Sequence, residues 1–168
     1  VTLNVTGAAK ITANKSLIDF ADSFIGFEKS EDIVITNQGT DDLNVTSIVV
    51  NGSVFKIDTT PFTLSPKKSK TLTVKFKPTA VKSYTGTLIF KSNDPNTSSL
   101  VINLKGNGVT PPAIKVTPPS LSASLFTGEK VTKKLTIENN GGSDLTWSAD
   151  VVIDAVNFSN NSVTTSPK

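Results

Sequence analysis

The chain has 168 residues, 17 basic against 14 acidic side chains, a formal net charge of +3, and no Cys, His or Met. All 17 cations are lysines. Without His or Cys there is no zinc finger, no imidazole- or thiolate-based nucleophile, no haem or iron–sulfur ligation and no disulfide framework, and a dedicated reader of nucleic acid would be unusual without the Arg fork. No cofactor and no nucleic-acid partner are expected. The lysine-rich Pro66-Lys-Lys-Ser-Lys70 reads as protection of strand edges and turns. No apolar run approaches the roughly 20 residues that would cross a bilayer as a helix, so no direct membrane insertion is expected.

Period-2 alternation of β-branched and aromatic residues runs through the chain, and nowhere does a three-turn helical pattern hold. In chain order the predicted strands are residues 32–36, 43–50, 55–58, 71–76, 85–91, 100–105, 133–138, 145–152 and 156–159. Turn clusters separate them: Asn37-Gln-Gly39, Asn51-Gly52, Ser92-Asn-Asp-Pro95, Gly106-Asn-Gly108 and Asn139-Asn-Gly-Gly142. Asn and Gly tolerate positive φ, so the turns at 37–39 and 139–142 are expected to need it. In the stretch 70–78, Leu72, Val74 and Phe76 should point inward and Thr71, Thr73, Lys75 and Lys77 outward, with Pro78 ending the strand. Short strands with Gly, Asn and Pro punctuation predict an all-β fold.

Two stretches of the chain match each other at an offset of about 100 residues, near the length of an Ig-like sandwich. Ile33-Val-Ile-Thr-Asn-Gln-Gly-Thr-Asp-Asp-Leu-Asn-Val45 aligns with Leu135-Thr-Ile-Glu-Asn-Asn-Gly-Gly-Ser-Asp-Leu-Thr-Trp147. Val1–Gly7 aligns with Leu100–Gly106 and Ser65-Pro-Lys67 with Ser166-Pro-Lys168. The expected organisation is the last strand of a preceding repeat over 1–9, a complete domain over 10–108, a linker over 109–112 and a second domain over 113–168 that lacks its C-terminal strands. Tandem immunoglobulin-like β-sandwiches of about seven strands each follow, the second incomplete. Two situations would complete it: a longer array of which this is a window, the favoured reading, or strands donated by a neighbouring chain.

The residues also carry a family pattern. Ile33-Val-Ile-Thr-Asn-Gln-Gly-Thr, Leu64-Ser-Pro-Lys, Leu72-Thr-Val-Lys-Phe-Lys-Pro78, Tyr84-Thr-Gly-Thr-Leu-Ile-Phe, Ser92-Asn-Asp-Pro95 and Val101-Ile-Asn-Leu-Lys-Gly-Asn-Gly108 resemble, in this order, the ASH family of Ig-like domains. Such domains occur in Hydin-type ciliary proteins and in bacterial surface and secreted proteins of the choice-of-anchor D type. The resemblance implies a seven-stranded sandwich used as a scaffold or interaction module, with no catalytic residues to carry over.

Few residues offer chemistry. Trp147 is a candidate sugar-stacking platform, but its counterpart in the first repeat is Val45 and an inward Trp is a common sandwich anchor, so core packing is expected. Tyr84, at the start of an alternating strand, is expected to make a structural hydrogen bond more readily than to contact a ligand. Asp41-Asp42 and Asn93-Asp94 lack the spacing of a calcium loop. Glu28 with Glu31 and Asp19 with Asp22 are the nearest approach to catalytic carboxylate pairs, and nothing in their contexts suggests a raised pKa. Candidate glycosylation positions are Asn4, Asn44, Asn51 and Asn96, each opening an Asn-x-Ser/Thr triplet, and Thr59 in Asp58-Thr-Thr60.

The function expected is that of a non-enzymatic structural repeat region in a larger extracellular or cell-surface protein: a spacer, adhesive stalk or filament component. Its partners would be neighbouring repeats of the same or an identical chain, with glycans or other surface proteins as further partners. Three alternatives stand beside it: a carbohydrate-binding accessory module of an extracellular enzyme, a ciliary or microtubule-associated scaffold, and a polymerising subunit completed by its neighbour's strands.

Overall fold

The structure is a computed structural model, and it describes residues 7–126 and 128–150. Two sheets face each other between Ile11 and Val109. One has the order β1 (Ile11–Ala13), β3 (Lys29–Asn37), β7 (Ser69–Phe76), β5 (Phe55–Lys56). The other has the order β2 (Leu17–Phe24), β9 (Ser99–Val109), β8 (Ser83–Ser92), β4 (Leu43–Asn51), β6 (Phe62–Leu64). All pairings are antiparallel except β2 with β9. The first strand is split between the sheets. After β1 the chain crosses at Asn14, whose Oδ1 accepts the Val34 amide at 2.9 Å, and Ser16 accepts the Asn103 amide at 3.0 Å as β2 begins.

Alternation builds the core. In β7, Leu72, Val74 and Phe76 are buried while Thr71, Thr73 and Lys75 are exposed, as their period-2 pattern predicts. Ile33 and Ile35 from β3, Ile18 and Phe20 from β2, Leu88 and Phe90 from β8, and Ile102 and Leu104 from β9 complete the interior. At its centre Phe76 lies 5.2 Å from Phe20 and 5.0 Å from Phe55, ring centroid to centroid. Offset and tilted aromatic pairs at these separations add stabilisation beyond their buried area.

Four strands lie outside the predicted set: β1, β2, β6 and β10 (Ile114–Thr117). In β2 the alternation of Ile18 and Phe20 is interrupted at Ala21, which has φ +50° and sits in a register shift between Asp19 and Asp22. This β-bulge returns Ser23 to the interior. β1 and β6 have three residues each, too few to show a period. The expected positive φ at the turns 37–39 and 139–142 is not found: among the described residues, left-handed backbone occurs at Ala21, Gly26, Gly52, Lys67 and Gly128. Gly39 and Gly141 serve close approach instead. A Cβ on Gly39 would lie 2.6 Å from the Lys10 nitrogen, and one on Gly141 2.5 Å from that of Ala113.

Beyond Val109, β10 pairs antiparallel with β11 (Thr136–Asn139). Its register reproduces that of β1 with β3: Ile11 faces Asn37, and Ile114 faces Asn139. The strand predicted over 133–138 is thus shorter and displaced. The strand predicted over 145–152 is not formed in its described part, 145–150. Its counterpart β4 is held by ladders to β6 and β8, and residues 145–150 have no such partner among those described. The predicted strand 156–159 and the stretch 1–6 lie outside the described residues.

Candidate functional site

The strand registers give the sandwich two poles. At the N-terminal pole lie residues 8–11, the turn 38–42 and the turn 93–98. At the opposite, C-terminal pole lie residues 25–28, the loop 77–82 and Val109, which pairs with Phe24. The chain therefore enters the sandwich at one end and leaves it at the other.

At the N-terminal pole Asn37 organises the incoming chain. It is fully buried. Its Oδ1 accepts the amides of Gly39 at 2.9 Å and Lys10 at 3.3 Å, and its Nδ2 donates to the carbonyls of Asp41 at 2.8 Å and Leu64 at 2.9 Å. All of its polar capacity is used, which is what a buried amide requires. Gln38 and Thr40 add backbone bonds to the carbonyls of Lys10 at 2.8 Å and Ala8 at 2.9 Å. Asp94, only 2% exposed, accepts the Ile11 amide at 2.9 Å through Oδ2 and the amides of Asn96 and Thr97 at 2.8 and 3.1 Å through Oδ1. Burial pushes its carboxyl pKa up, but the three amide donors and the Lys10 charge outweigh this and hold it below the usual carboxylate range.

At the C-terminal pole Tyr84 secures the loop beside the departing chain. Its hydroxyl accepts the amides of Thr79 at 3.1 Å and Ala80 at 2.8 Å, while its ring meets Phe76 edge-on at 5.7 Å. Lys82 in that loop accepts the Gly108 amide at 2.8 Å, and the Ile25 amide donates to Val109 at 3.0 Å. The residue is placed as a structural tie.

The remaining sequence candidates are scattered. Trp147 is 55% exposed, contrary to the expected core position: of the sheet that faces its counterpart Val45, only β1 and β3 have equivalents among the described residues, β10 and β11. Asn44 and Asn51 are exposed on β4 but engaged by neighbours: Asn44 Oδ1 accepts the Thr63 hydroxyl at 2.8 Å, and Asn51 Nδ2 donates to Thr87 at 2.9 Å. Asn96 is exposed in the turn 93–98. Thr59 is exposed beside Asp58, whose carboxylate accepts both the amide and the hydroxyl of Thr60. Asn4 lies outside the described residues.

The carboxylate pairs are not assembled for acid–base work. Glu28 pairs with Lys75 at 2.8 Å, Glu31 with Lys15 at 3.1 Å and Asp19 with Lys105 at 3.0 Å. The Lys75 hydrogen bond lowers the pKa of Glu28, and the Ala21 amide followed by Lys105 lowers that of Asp19. A general acid at neutral pH needs the opposite shift. Among the described residues, Asp and Glu form no group of three that would hold a metal ion. The carboxylates of Asp41 and Asp94 are occupied by backbone amides.

Residues 9–107 match the family described as HYDIN/CFA65/VesB-like, Ig-like domain, over more than half of the chain. The chain belongs to the HYDIN/CFA65/VesB-like Ig-like family. No curated protein sequence matches it significantly. Among solved structures it is similar to a Porphyromonas gingivalis W83 protein described as of unknown function, at 18% identity and TM-score 0.52, over 64% of this chain and 49% of that one. It is also similar to the ASH/PapD-like domain 7 of human CEP192, at 15% identity and TM-score 0.49, over 61% of this chain and 87% of that one. The VesB protease of Vibrio cholerae matches at 11% identity and TM-score 0.49, over 58% of this chain and 31% of that one. The chain thus spans about half of the Porphyromonas protein and a third of VesB. At 18% identity the likeness to the Porphyromonas protein is one of fold. Within the HYDIN/CFA65/VesB-like family, the matched residues here coincide with the two sheets and both poles.

Proposed function

We propose that this chain is a non-enzymatic structural region of a larger extracellular protein, in which tandem Ig-like units act as a spacer. The observation that carries the reading is the placement of the incoming and outgoing chain at opposite poles, with buried or multiply bonded residues fixing both. A sandwich so connected converts about 100 residues into a fixed separation between whatever precedes and whatever follows it. The second unit of the array is taken to begin at Thr110, on the strength of the repeated strand register. The assignment to the cell exterior rests on the resemblance to choice-of-anchor D repeats, and the non-enzymatic reading on the resemblance to scaffold and interaction modules.

Replacement tests the spacer role. Residues 9–109 in the parent protein are exchanged for an unrelated sandwich of equal length whose termini also lie at opposite poles. A spacer tolerates the exchange, and the parent retains its attachment or activity. Loss of that activity with the exchanged protein folded and present at normal level would mean that a specific surface of this sandwich is recognised.

The exposure of Trp147 favours a second reading, carbohydrate binding through its apolar face. Glycan-array binding that disappears in Trp147→Ala would support it, and absence of binding by the unaltered chain would remove it.

A further inference from the structure

We infer that the connection between the two units contains no free stretch, because the second unit grips the connecting segment with the same device that anchors the start of the first. Val109, the last residue of β9, is bonded through its carbonyl to the Ile25 amide at 3.0 Å. The very next residue is already held by the other side: the Thr110 carbonyl accepts the Ser143 hydroxyl. The Pro111 carbonyl accepts the Gly142 amide at 3.3 Å, and that of Ala113 accepts the Asn140 amide at 2.8 Å. Asn139 completes the grip. Its Oδ1 accepts the amides of Ala113 at 3.1 Å and Gly141 at 2.9 Å, and its Nδ2 donates to Ser143 at 2.7 Å.

The bonds at Pro111, Ala113 and Asn139 have counterparts around Asn37, while the Ser143 bond to Thr110 belongs to the second turn, Asp41 having no hydroxyl to donate. Lys10, Gly39 and Asp41 stand where Ala113, Gly141 and Ser143 stand, and Gln38 bonds Lys10 as Asn140 bonds Ala113. In both turns the glycine leaves room for the gripped segment to lie against the turn, since an added Cβ would overlap it. The turn 139–143 is therefore a docking surface whose occupant is the segment Thr110–Ala113 of this same chain. The expected linker at 109–112 is not a hinge. Its two prolines lack amide donors, so the grip is made entirely through carbonyls until Ala113, and their fixed φ keeps the segment extended for it.

This inference deepens the spacer reading, on which it rests for the existence of a second unit, and predicts that the spacer is stiff. The test is backbone ¹⁵N relaxation on the full 168-residue chain, read at the amides of Thr110 and Ala113. A gripped segment gives order parameters near about 0.85, equal to those of β9, and a free linker gives values below about 0.6. Asn139→Ala should lower both amides towards the free value while those of Val101 and Lys105 stay unchanged. If Asn139→Ala also frees β10 from β11, Ser143→Ala removes the bond at Thr110 alone and should raise the mobility of that amide. Low order parameters in the unaltered chain, or unchanged ones in both variants, would overturn the inference. A mobile joint would leave a spacer role standing, whereas a failed replacement experiment would not.

Discussion

Asp94 accepts the backbone amide of Ile11 at 2.9 Å across 83 residues of sequence, and so joins the edge strand of one sheet to the turn between β8 and β9 of the other. β1 is only three residues long and has one ladder, to β3. The same carboxylate closes its own turn through Asn96 and Thr97. One buried anion therefore satisfies three donors at the pole where the chain enters.

Asp94→Asn should lower stability by about 1.5–3 kcal/mol, the range for a hydrogen bond to a charged group, because an amide set to accept at Oδ1 presents a donor to Ile11. The variant also changes the acid limb. The native carboxyl is held below its ordinary value, so its contribution is complete above the unfolded pKa of about 3.9 and is lost as pH falls through the lower folded value. Chemical denaturation followed from pH 7 to pH 2 should show the two proteins separated by a constant gap near neutrality, closing below about pH 4. A gap that stays constant to pH 2 would mean that Asp94 is not the titrating group.

Gly39→Ala and Gly141→Ala should separate the two grips. A Cβ on Gly39 falls 2.6 Å from the Lys10 nitrogen and 2.8 Å from the Ala9 carbonyl carbon. Forced overlap of this kind costs about 1–3 kcal/mol, which calorimetry of the main unfolding transition should register. Gly141→Ala meets backbone of Pro112 and Ala113 instead, and should leave that transition in place while weakening protection of the β10 and β11 amides in hydrogen exchange. Equal effects of both variants on the main transition would contradict the division.

Phe76→Ala should be among the most damaging core changes. The ring is fully buried between Phe20, Phe55 and Tyr84, and removal of a buried Phe costs about 3–5 kcal/mol. Phe27, 63% exposed at the C-terminal pole, is the contrast: Phe27→Ser should stay within about 0.5 kcal/mol. Urea midpoints of the two variants decide the comparison.

The long strands were legible because each has one wet and one buried face, which writes the pleat into the order of residues. β7 is the clearest case. β2 escaped notice for a physical reason: the bulge at Ala21 shifts the alternation by one residue midway, so neither half is long enough to show a period. The repeat was visible in Asn37-Gln-Gly39 and Asn139-Asn-Gly-Gly142, but the meaning of those residues was not. Asn37 looks like a turn former and is a buried hub; Gly39 looks like a positive-φ residue and is a gap into which a backbone fits. Likewise the Asn-Asp-Pro turn at 93–95 announces a turn, whereas the second oxygen of Asp94 reaches a strand far away in sequence. Such long-range bonds leave no local trace. Trp147 aligns with the buried Val45, but of the sheet facing Val45 only β1 and β3 have counterparts among the described residues, β10 and β11, and the indole stays exposed.

The sandwich fixes a distance between its two chain ends, which a spin-label measurement reads out. The chain has no cysteine, so Lys10→Cys and Lys82→Cys place two labels, one at each pole, without further changes. Both lysines are exposed. Separated by roughly the length of β9, whose 11 residues rise about 3.4 Å each, the labels should show one narrow distance distribution centred at about 30–40 Å. A distribution centred below about 20 Å, or one broad enough to span both ranges, would contradict the account.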